Sequence, residues 1–378
     1  MRAPPRPRPG RRRSGRRRSG RRRSGRSRIQ RTPPARRSRA GRSLVCAQVP
    51  PESVNQLAVS ATDAVASLTA SRVVVVAGKG GVGKTTVTAV LARAAARRGL
   101  RVLVVELDGK PTLAELVTGD GRAGDERGSD DAPAIEVVAI SAPDALDEYL
   151  REHGFGRIAK RLSATGVIDV VGTAAPGIDD IVVLGKIKQL ERSGDWDLIV
   201  VDGPAAGHAI TFLTSASGML DAIRGGPVRA QATDVLELLR DAERCQVVLV
   251  TIPETTPVNE AIETAFALED QVGVQLGPVI VNGVDLGVEP PDPDDHEVLA
   301  ALAAGVGPHD VGSHDVGVLL AAARFRRSRR SMERSEIERL AAELPLAQVH
   351  LPALGVAGLS AIDIDELASR LVDGADPT

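Results

Sequence analysis

The chain contains a series of short apolar runs, each followed by a stretch with helical patterning, and this alternation limits the folds that it can adopt. The runs are continuous and rich in β-branched residues, and RVVVVAG is typical of them. Such strands are expected where helices cover both faces of a parallel sheet. The seven runs occupy residues 72–78, 101–108, 135–141, 197–203, 245–253, 277–284 and 346–352. This alternation predicts an α/β fold with a doubly wound, mostly parallel sheet that binds ligands at the carboxyl ends of its strands.

The composition agrees with a buried sheet of this kind. Aromatic residues make up only 2% of the 378 residues, so the core must be built from Val, Leu, Ile and Ala. The Ala-rich stretch between the first two runs is predicted to be a helix that ends at Gly99. Cys46 and Cys245 form no C-x-x-C pair, which argues against a zinc clamp and favours a cytoplasmic, reducing compartment. No apolar run approaches the roughly 18–20 residues of a membrane span, so no integral membrane segment is predicted.

The chain divides into a tail and a folded part. Residues 1–52 are predicted to be a disordered Arg-rich tail, and residues 53–378 a single domain. Within the domain, residues 206–244 show helical periodicity without a strand and are predicted to be a helical insertion. Residues 285–330 begin with the acidic, Pro-rich VEPPDPDDHE and end in an Arg-rich run. This composition predicts a mobile surface region, and the spacing of its acidic residues matches no metal-ligand pattern.

The tail repeats RRRSG and contains no acidic residue before Glu52. It could tether the protein to nucleic acid or an anionic membrane, act as an import peptide, or be phosphorylated at Ser14, Ser19 and Ser24. The preferred interpretation is an upstream extension of little consequence. Because the rest of the chain is acidic, nucleic acid is not an expected partner except through this tail.

A glycine-rich loop follows the first apolar run directly and opens the next helix. Its sequence, AGKGGVGKTT, contains the phosphate-binding pattern G-x-x-x-x-G-K-[ST]. Backbone N–H groups of such a loop turn toward a polyphosphate at the helix N-terminus, Lys84 reaches the β- and γ-phosphates, and the Thr85 hydroxyl binds Mg²⁺. The nucleotide-binding residues predicted here are Gly78, Lys79, Gly80, Gly81, Val82, Gly83, Lys84, Thr85 and Thr86.

A second motif places an acidic residue at the end of another predicted strand. The stretch WDLIVVDGPAAGH places Asp202 where a Walker-B carboxylate would hold Mg²⁺ through water, so Thr85 and Asp202 are the predicted metal-binding residues. An alternative role for Asp202 is to cap the helix that follows. ATP and Mg²⁺ are therefore the expected ligands.

The loop carries one more lysine than the phosphate pattern requires. Lys79 lies five residues before Lys84, in a chain with only six lysines. The sequence G-K-G-G-x-G-K-T-T resembles the loop of the ArsA-like, MinD/ParA-like and nitrogenase-iron-protein-like ATPases. This resemblance implies that Lys79 crosses a dimer interface and stabilises charge on the partner's nucleotide. The alternative is a solvated loop lysine.

Three further stretches resemble the ArsA-like branch, which includes the arsenite-pump ATPase and the ATPases that target tail-anchored proteins. They are AAPGIDDIVVLGKI, DGPAAGH and VVELDGKPT. The resemblance implies that Asp108 orients or deprotonates the attacking water and that Gly207 and His208 belong to a switch that senses the γ-phosphate. It also implies that Asn282 recognises adenine, beside a base-flanking loop at residues 351–354. For Asn282 a plain turn-forming role before Gly283 stays open.

The chain departs from that branch in several places. Gly109, Lys110 and Pro111 follow Asp108 where Pro-Ala-His is usual, and the cysteines that bind arsenite or zinc are missing. We expect an ATPase that works as a homodimer, or as a heterodimer with a paralogue, and couples nucleotide state to a protein cargo or partner. The alternatives are a nucleotide-binding subunit that hydrolyses ATP poorly, and a ParA-like partition ATPase that uses the Arg tail on DNA.

Overall fold

The computed structural model describes residues 61–107, 112–118, 135–152, 154, 177–290, 292, 294 and 313–373. The predicted tail at residues 1–52 lies outside the described residues. So do Asp108 and the three residues that follow it, Gly109, Lys110 and Pro111.

The described strands form one sheet in which every pair is parallel. They are β1 (Val73–Gly78), β2 (Val102–Glu106), β3 (Ile135–Ala139), β4 (Leu198–Ala205), β5 (Cys245–Thr251), β6 (Gln275–Leu276), β7 (Val279–Val284) and β8 (Gln348–Pro352). The order across the sheet is β3-β2-β4-β1-β5-β7-β8, with β6 paired to β5. All seven predicted strands are therefore confirmed, and the two-residue β6 was not predicted.

The helices connect these strands. They are α1 (Ala61–Leu68), α2 (Lys84–Arg97), α3 (Thr112–Thr118), α4 (Ala142–Glu152), α5 (Ile178–Ser193), α6 (Ala206–Ala222), α7 (Pro227–Arg240), α8 (Thr255–Gln271), α9 (Ser313–Glu343) and α10 (Ala361–Asp373). The helix predicted between the first two strands is α2, and its predicted end is confirmed: Gly99 follows the helix with φ +84°. No described helix is long and apolar enough to span a lipid bilayer.

Two hydrophobic cores lie on the two faces of the sheet, which explains the continuous apolar runs. Val73, Val75 and Ala77 of β1 face a core formed with helices α4 to α8. Val74 and Val76 face the opposite core, formed with α1, α2, α3 and α10. Because successive side chains of a strand point to opposite faces, every position of β1 is buried, and a polar residue is tolerated only at a strand end.

The stretch 206–244, predicted to be helical, holds α6 and α7 on the connection from β4 to β5. Both helices contribute to the first core through buried residues such as Leu213 and Leu239. Met219 of α6 and Ala232 of α7 also form a small cluster with Ile181 of α5. These two helices are thus packed against α5 as well as against the sheet.

The predicted mobile region at 285–330 was wrong for its C-terminal part, because residues 313–330 belong to the 31-residue helix α9. Its Arg-rich run pairs with the acidic segment after β7. Arg326 donates two hydrogen bonds of 2.7 Å to the Asp285 carboxylate, and Arg330 donates to the Gly287 carbonyl at 2.7 Å. The hydrogen bond from Arg326 lowers the pKa of Asp285 from its ordinary value of 3.8 to about 2. The two charge runs that looked separate in the sequence are partners.

Candidate functional site

The glycine-rich loop lies between β1 and α2, at the carboxyl edge of the sheet. At Gly78 the loop backbone passes close to β5, and a Cβ there would lie 2.3 Å from the Val250 carbonyl oxygen. Gly81 and Gly83 have φ values of +87° and +88°, in the left-handed region that favours glycine. The pattern of glycines therefore has a steric cause at three positions, and the loop ends at the N-terminus of α2.

Asn282, near the end of β7, holds the loop from the side. Its Nδ2 donates a 2.9 Å hydrogen bond to the Val82 carbonyl. A Cβ on Gly83 would lie 2.3 Å from the same Nδ2 atom. Asn282 also lines a cavity beside the loop. Its Nδ2 contacts the loop, and the remaining donor and acceptor capacity of the amide is available to a ligand in the cavity.

Asp202 lies beside the loop because β4 is the parallel neighbour of β1, with Asp202 in register with Val76. The Thr85 hydroxyl donates a 2.8 Å hydrogen bond to Asp202 Oδ2. The buried Thr88, one helical turn later, contacts Oδ1 at 3.4 Å. The arrangement brings together a hydroxyl and a carboxylate, two hard oxygen donors of the kind Mg²⁺ prefers.

The two lysines of the loop have different surroundings. Lys84 Nζ donates to the Lys79 carbonyl oxygen at 3.3 Å, across the mouth of the loop. Lys79 Nζ lies 2.6 Å from Glu260 Oε1 of α8, and both side chains are about one third exposed (32% and 38%). Lys79 is therefore a surface residue that is held by a neighbouring helix.

A cavity of about 340 Å³ adjoins the loop on the side of β5, β7 and β8. Its lining is mainly apolar, and its polar members come from separate parts of the chain. They are Thr86, Glu254, Asn282 and Arg329. The base-flanking loop expected at residues 351–354 contributes Pro352, Ala353 and Leu354 to the same lining.

A second cavity, of about 450 Å³, lies at the carboxyl ends of β2 and β4. His208, at the start of α6, lines it together with Asp179 and Asp180 of α5. Burial raises the pKa of Asp180, and the neighbouring Asp179 raises it further, whereas His208 acts in the opposite direction. The described residues of the two stretches PGIDD and DGPAAGH thus line the same cavity.

The structure brings together the predicted loop residues 78–86, Asp202 and Asn282. Asp108 lies outside the described residues, so its predicted position near them stays a prediction. Sequence reasoning missed Thr88 and Glu260. Thr88 had a usable signal, since it follows Thr85 by three residues on the same helix face. Glu260 had none, because it lies 181 residues from Lys79.

A parallel sheet with a glycine-rich loop between its first strand and helix, a lysine at the helix start and an acid on the adjacent strand defines a P-loop nucleoside triphosphatase. The chain also matches the anion-transporting ATPase family over residues 71–225. It is 34% identical over 240 residues to the ATPase BagA of Mycobacterium tuberculosis, covering 60% of this chain and 69% of that protein.

Other relatives are more distant. The ATPase GET3B of Arabidopsis thaliana is 26% identical over 276 residues, covering 59% of this chain and 67% of that protein. An arsenical pump-driving ATPase of Escherichia coli is 28% identical over 207 residues, covering 54% and 33%. The chain belongs to the anion-transporting ATPase family, as the resemblance of its motifs implied, and it is a nucleotide-binding ATPase.

Proposed function

We propose that the protein hydrolyses ATP with Mg²⁺ as a dimer that closes around its nucleotides, and that closure changes the binding of a protein partner. The observation that carries the dimer is the surface position of Lys79. Its ammonium group is held by Glu260 of α8, whereas Lys84 remains at the mouth of its own loop. A lysine on the surface beside the loop is available to the nucleotide of a second subunit.

In this proposal the loop residues 78–86 bind the phosphates of ATP through backbone N–H groups and Lys84. Thr85 and Asp202 would hold Mg²⁺, and their 2.8 Å contact supports the assignment. When bound, Mg²⁺ supplies positive charge against the phosphate oxygens. Asn282 would bind the adenine base with the groups of its amide that do not contact Val82.

Two residues would act on the transferring phosphoryl group. Asp108 of each subunit would orient or deprotonate the attacking water, which needs little proton transfer in a loose transition state. The partner's lysine at position 79 would stabilise the charge that develops on the phosphate oxygens. Closure would then require Lys79 to exchange Glu260 for the partner's nucleotide.

Mixing two inactive variants tests this arrangement. Lys79→Ala should bind ATP but not hydrolyse it, and Asp108→Asn should behave in the same way. In a mixed dimer, one site has both its own Asp108 and a Lys79 from the other subunit. Because random association makes about half of the dimers mixed, with one complete site each, mixing should restore about a quarter of the wild-type rate. No recovery, or full activity of Lys79→Ala alone, would reject the role of Lys79 across the interface.

The partner is to be identified by its dependence on nucleotide state. Asp108→Asn, which should remain closed on ATP, is compared with Lys84→Ala in pull-downs from the native cell extract. A protein retained only by the first variant supports coupling, and identical sets from both variants argue against it. The sequence after Asp108 also motivates a subunit that hydrolyses ATP poorly, and a single-turnover assay that releases no phosphate from the wild-type protein would favour that alternative.

A further inference from the structure

The cavity beside the loop is lined by two charged residues that the motifs do not explain, Glu254 and Arg329. Arg329 comes from the middle of α9, whereas most of the lining comes from strand ends and the segments that follow them. It reaches the cavity from a helix whose described contribution to the hydrophobic core is confined to its C-terminal part, through Ile337 and Leu340. Packing against the hydrophobic core therefore does not explain why Arg329 lies at the cavity.

The Arg329 guanidinium is held at one edge and available at the other. Its Nε donates a 3.0 Å hydrogen bond to Glu333 Oε1, one turn along the same helix. The Glu333 side chain is only 7% exposed, and its second oxygen accepts a 3.1 Å hydrogen bond from the Asp285 backbone. Within the part of the chain that the structure describes, the two terminal nitrogens of Arg329 have no hydrogen-bond partner. A buried carboxylate thus fixes the orientation of a planar, half-exposed cation.

The lining of the cavity favours a neutral, flat ligand at this position. Glu254 lies in the same lining and would repel a phosphate, and the loop with Lys84 already provides a phosphate site. The described lining contains no aromatic side chain; its other members include Pro352, Leu354 and Leu359. Among the described residues of the lining, Arg329 is therefore the one planar, positively charged side chain on which a base could stack, and guanidinium groups stack well on aromatic rings.

We propose that Arg329 is a base-stacking residue, whose guanidinium packs on the face of the purine while Asn282 contacts its edge, and that Glu333 is the residue that positions it. This inference rests on the proposed function, in which the base of ATP enters this cavity. It adds a contact from α9 to a nucleotide site that the loop motif alone would not include. The base selectivity of the enzyme would then depend on a helix far from the loop in sequence.

The test separates the base from the phosphates. Dissociation constants for ATP, CTP and inorganic tripolyphosphate are measured with Mg²⁺ by calorimetry for the wild-type protein and for Arg329→Ala. Loss of one stacking contact should weaken ATP binding about tenfold, weaken CTP less, and leave tripolyphosphate unchanged. Arg329→Lys should resemble Arg329→Ala, because an ammonium group keeps the charge but has no plane. Arg334→Ala, an exposed arginine on the same helix, is the matched control and should bind like the wild type.

Each result has a defined meaning. Equal ATP affinity in the wild type and Arg329→Ala would overturn the inference, and so would a parallel loss of tripolyphosphate or a full rescue by lysine, both of which indicate a phosphate contact. Glu333→Gln should show a smaller loss with ATP and none with tripolyphosphate, a base dependence that a purely structural role would not produce. If the wild-type protein binds tripolyphosphate but not ATP, the proposed function also fails, because the protein would then have no site for the base of ATP.

Discussion

The nucleotide site that we propose has a phosphate end and a base end, and the two are built in different ways. The phosphate end is a contiguous loop, residues 78–86, with one acid from the neighbouring strand. The base end is a cavity assembled from strand ends, the segments that follow them and residues of three helices, and its lining extends along the chain from Thr86 to Leu367. A contiguous loop leaves a readable motif, whereas an assembled cavity exists only after folding. Loss of one residue should therefore matter most at the phosphate end.

The largest effect is expected from Lys84→Ala. Removing a charged donor that contacts two phosphates should weaken ATP binding on the order of 100-fold, since each hydrogen bond to a charged group contributes roughly 1.5–3 kcal/mol. Calorimetry with Mg²⁺ and ATP measures the loss. Lys186→Ala, a lysine that pairs with Glu148 far from the loop, is the control and should bind normally. Near-normal ATP affinity of Lys84→Ala would contradict the assignment of the loop as the phosphate-binding site.

The next effect is expected from Gly83→Ala, where the two ends meet. Its φ of +88° is unfavourable for alanine by about 1–2 kcal/mol. The new Cβ would also collide with Asn282 Nδ2 at 2.3 Å. We expect ATP affinity to fall about tenfold or more.

Gly80→Ala is the matched control in the same loop, because a Cβ there meets no atom within 4 Å. Its ATP affinity should stay within about twofold of the wild type, a change of a few tenths of a kcal/mol. If both substitutions were equally harmful, the cause would be loop flexibility in general and not the contact between loop and Asn282.

A smaller effect is expected from Glu260→Gln, which weakens the surface contact that holds Lys79. Exposed ion pairs contribute about 0–1 kcal/mol, so the hydrolysis rate at limiting protein concentration should rise by up to about fivefold. The concentration dependence of the rate measures the change in dimer closure. Glu263→Gln, an exposed acid on the same helix, should leave the rate unchanged. A lower rate for Glu260→Gln would show that this carboxylate is needed in the closed dimer.

The smallest effect is expected from Asp285→Asn, which removes the ion pair between α9 and the segment after β7. The Arg326 guanidinium lowers the pKa of Asp285 from 3.8 to about 2. A carboxyl group with a lowered pKa stabilises the fold above its unfolded pKa, and this contribution is lost as the pH falls toward the folded value. Asp285 lies near the surface, so we expect Asp285→Asn to lower the free energy of unfolding by less than about 1 kcal/mol at pH 5.

The pH series for that variant is measured by denaturant unfolding between pH 5 and pH 3. The difference between wild type and Asp285→Asn should shrink as the pH falls through this range. Asp292→Asn is the control, because Arg327 lies 3.8 Å from that carboxylate, which is too far for a hydrogen bond. A difference that stays constant over the range would mean that the lost contact, and not the charge of Asp285, is what stabilises the fold.

The sheet and the phosphate end could be predicted from the sequence because their signals are local. Runs of β-branched residues predicted every strand but β6, which has only two residues. The position of Asp202 at the end of a run predicted its place beside the loop, since parallel strands end at the same edge. The pairs Lys79–Glu260 and Arg326–Asp285 could not be predicted, because charge patterns do not specify which distant residues meet. The same limit made residues 313–330 look like a mobile region instead of a helix.

The ion pairs Arg326–Asp285 and Arg330–Glu289 attach the middle of α9 to the segment that follows β7, the strand that carries Asn282. Sixteen residues of helix extend from Arg329 back to Ser313, a length of about 24 Å at 1.5 Å per residue. A tilt of α9 by about 5° about Arg329 would move Ser313 by roughly 2 Å, by the geometry of a rigid rod of that length. In the proposed site, a small shift of Arg329 around a bound purine would therefore give a larger displacement at the N-terminal end of α9.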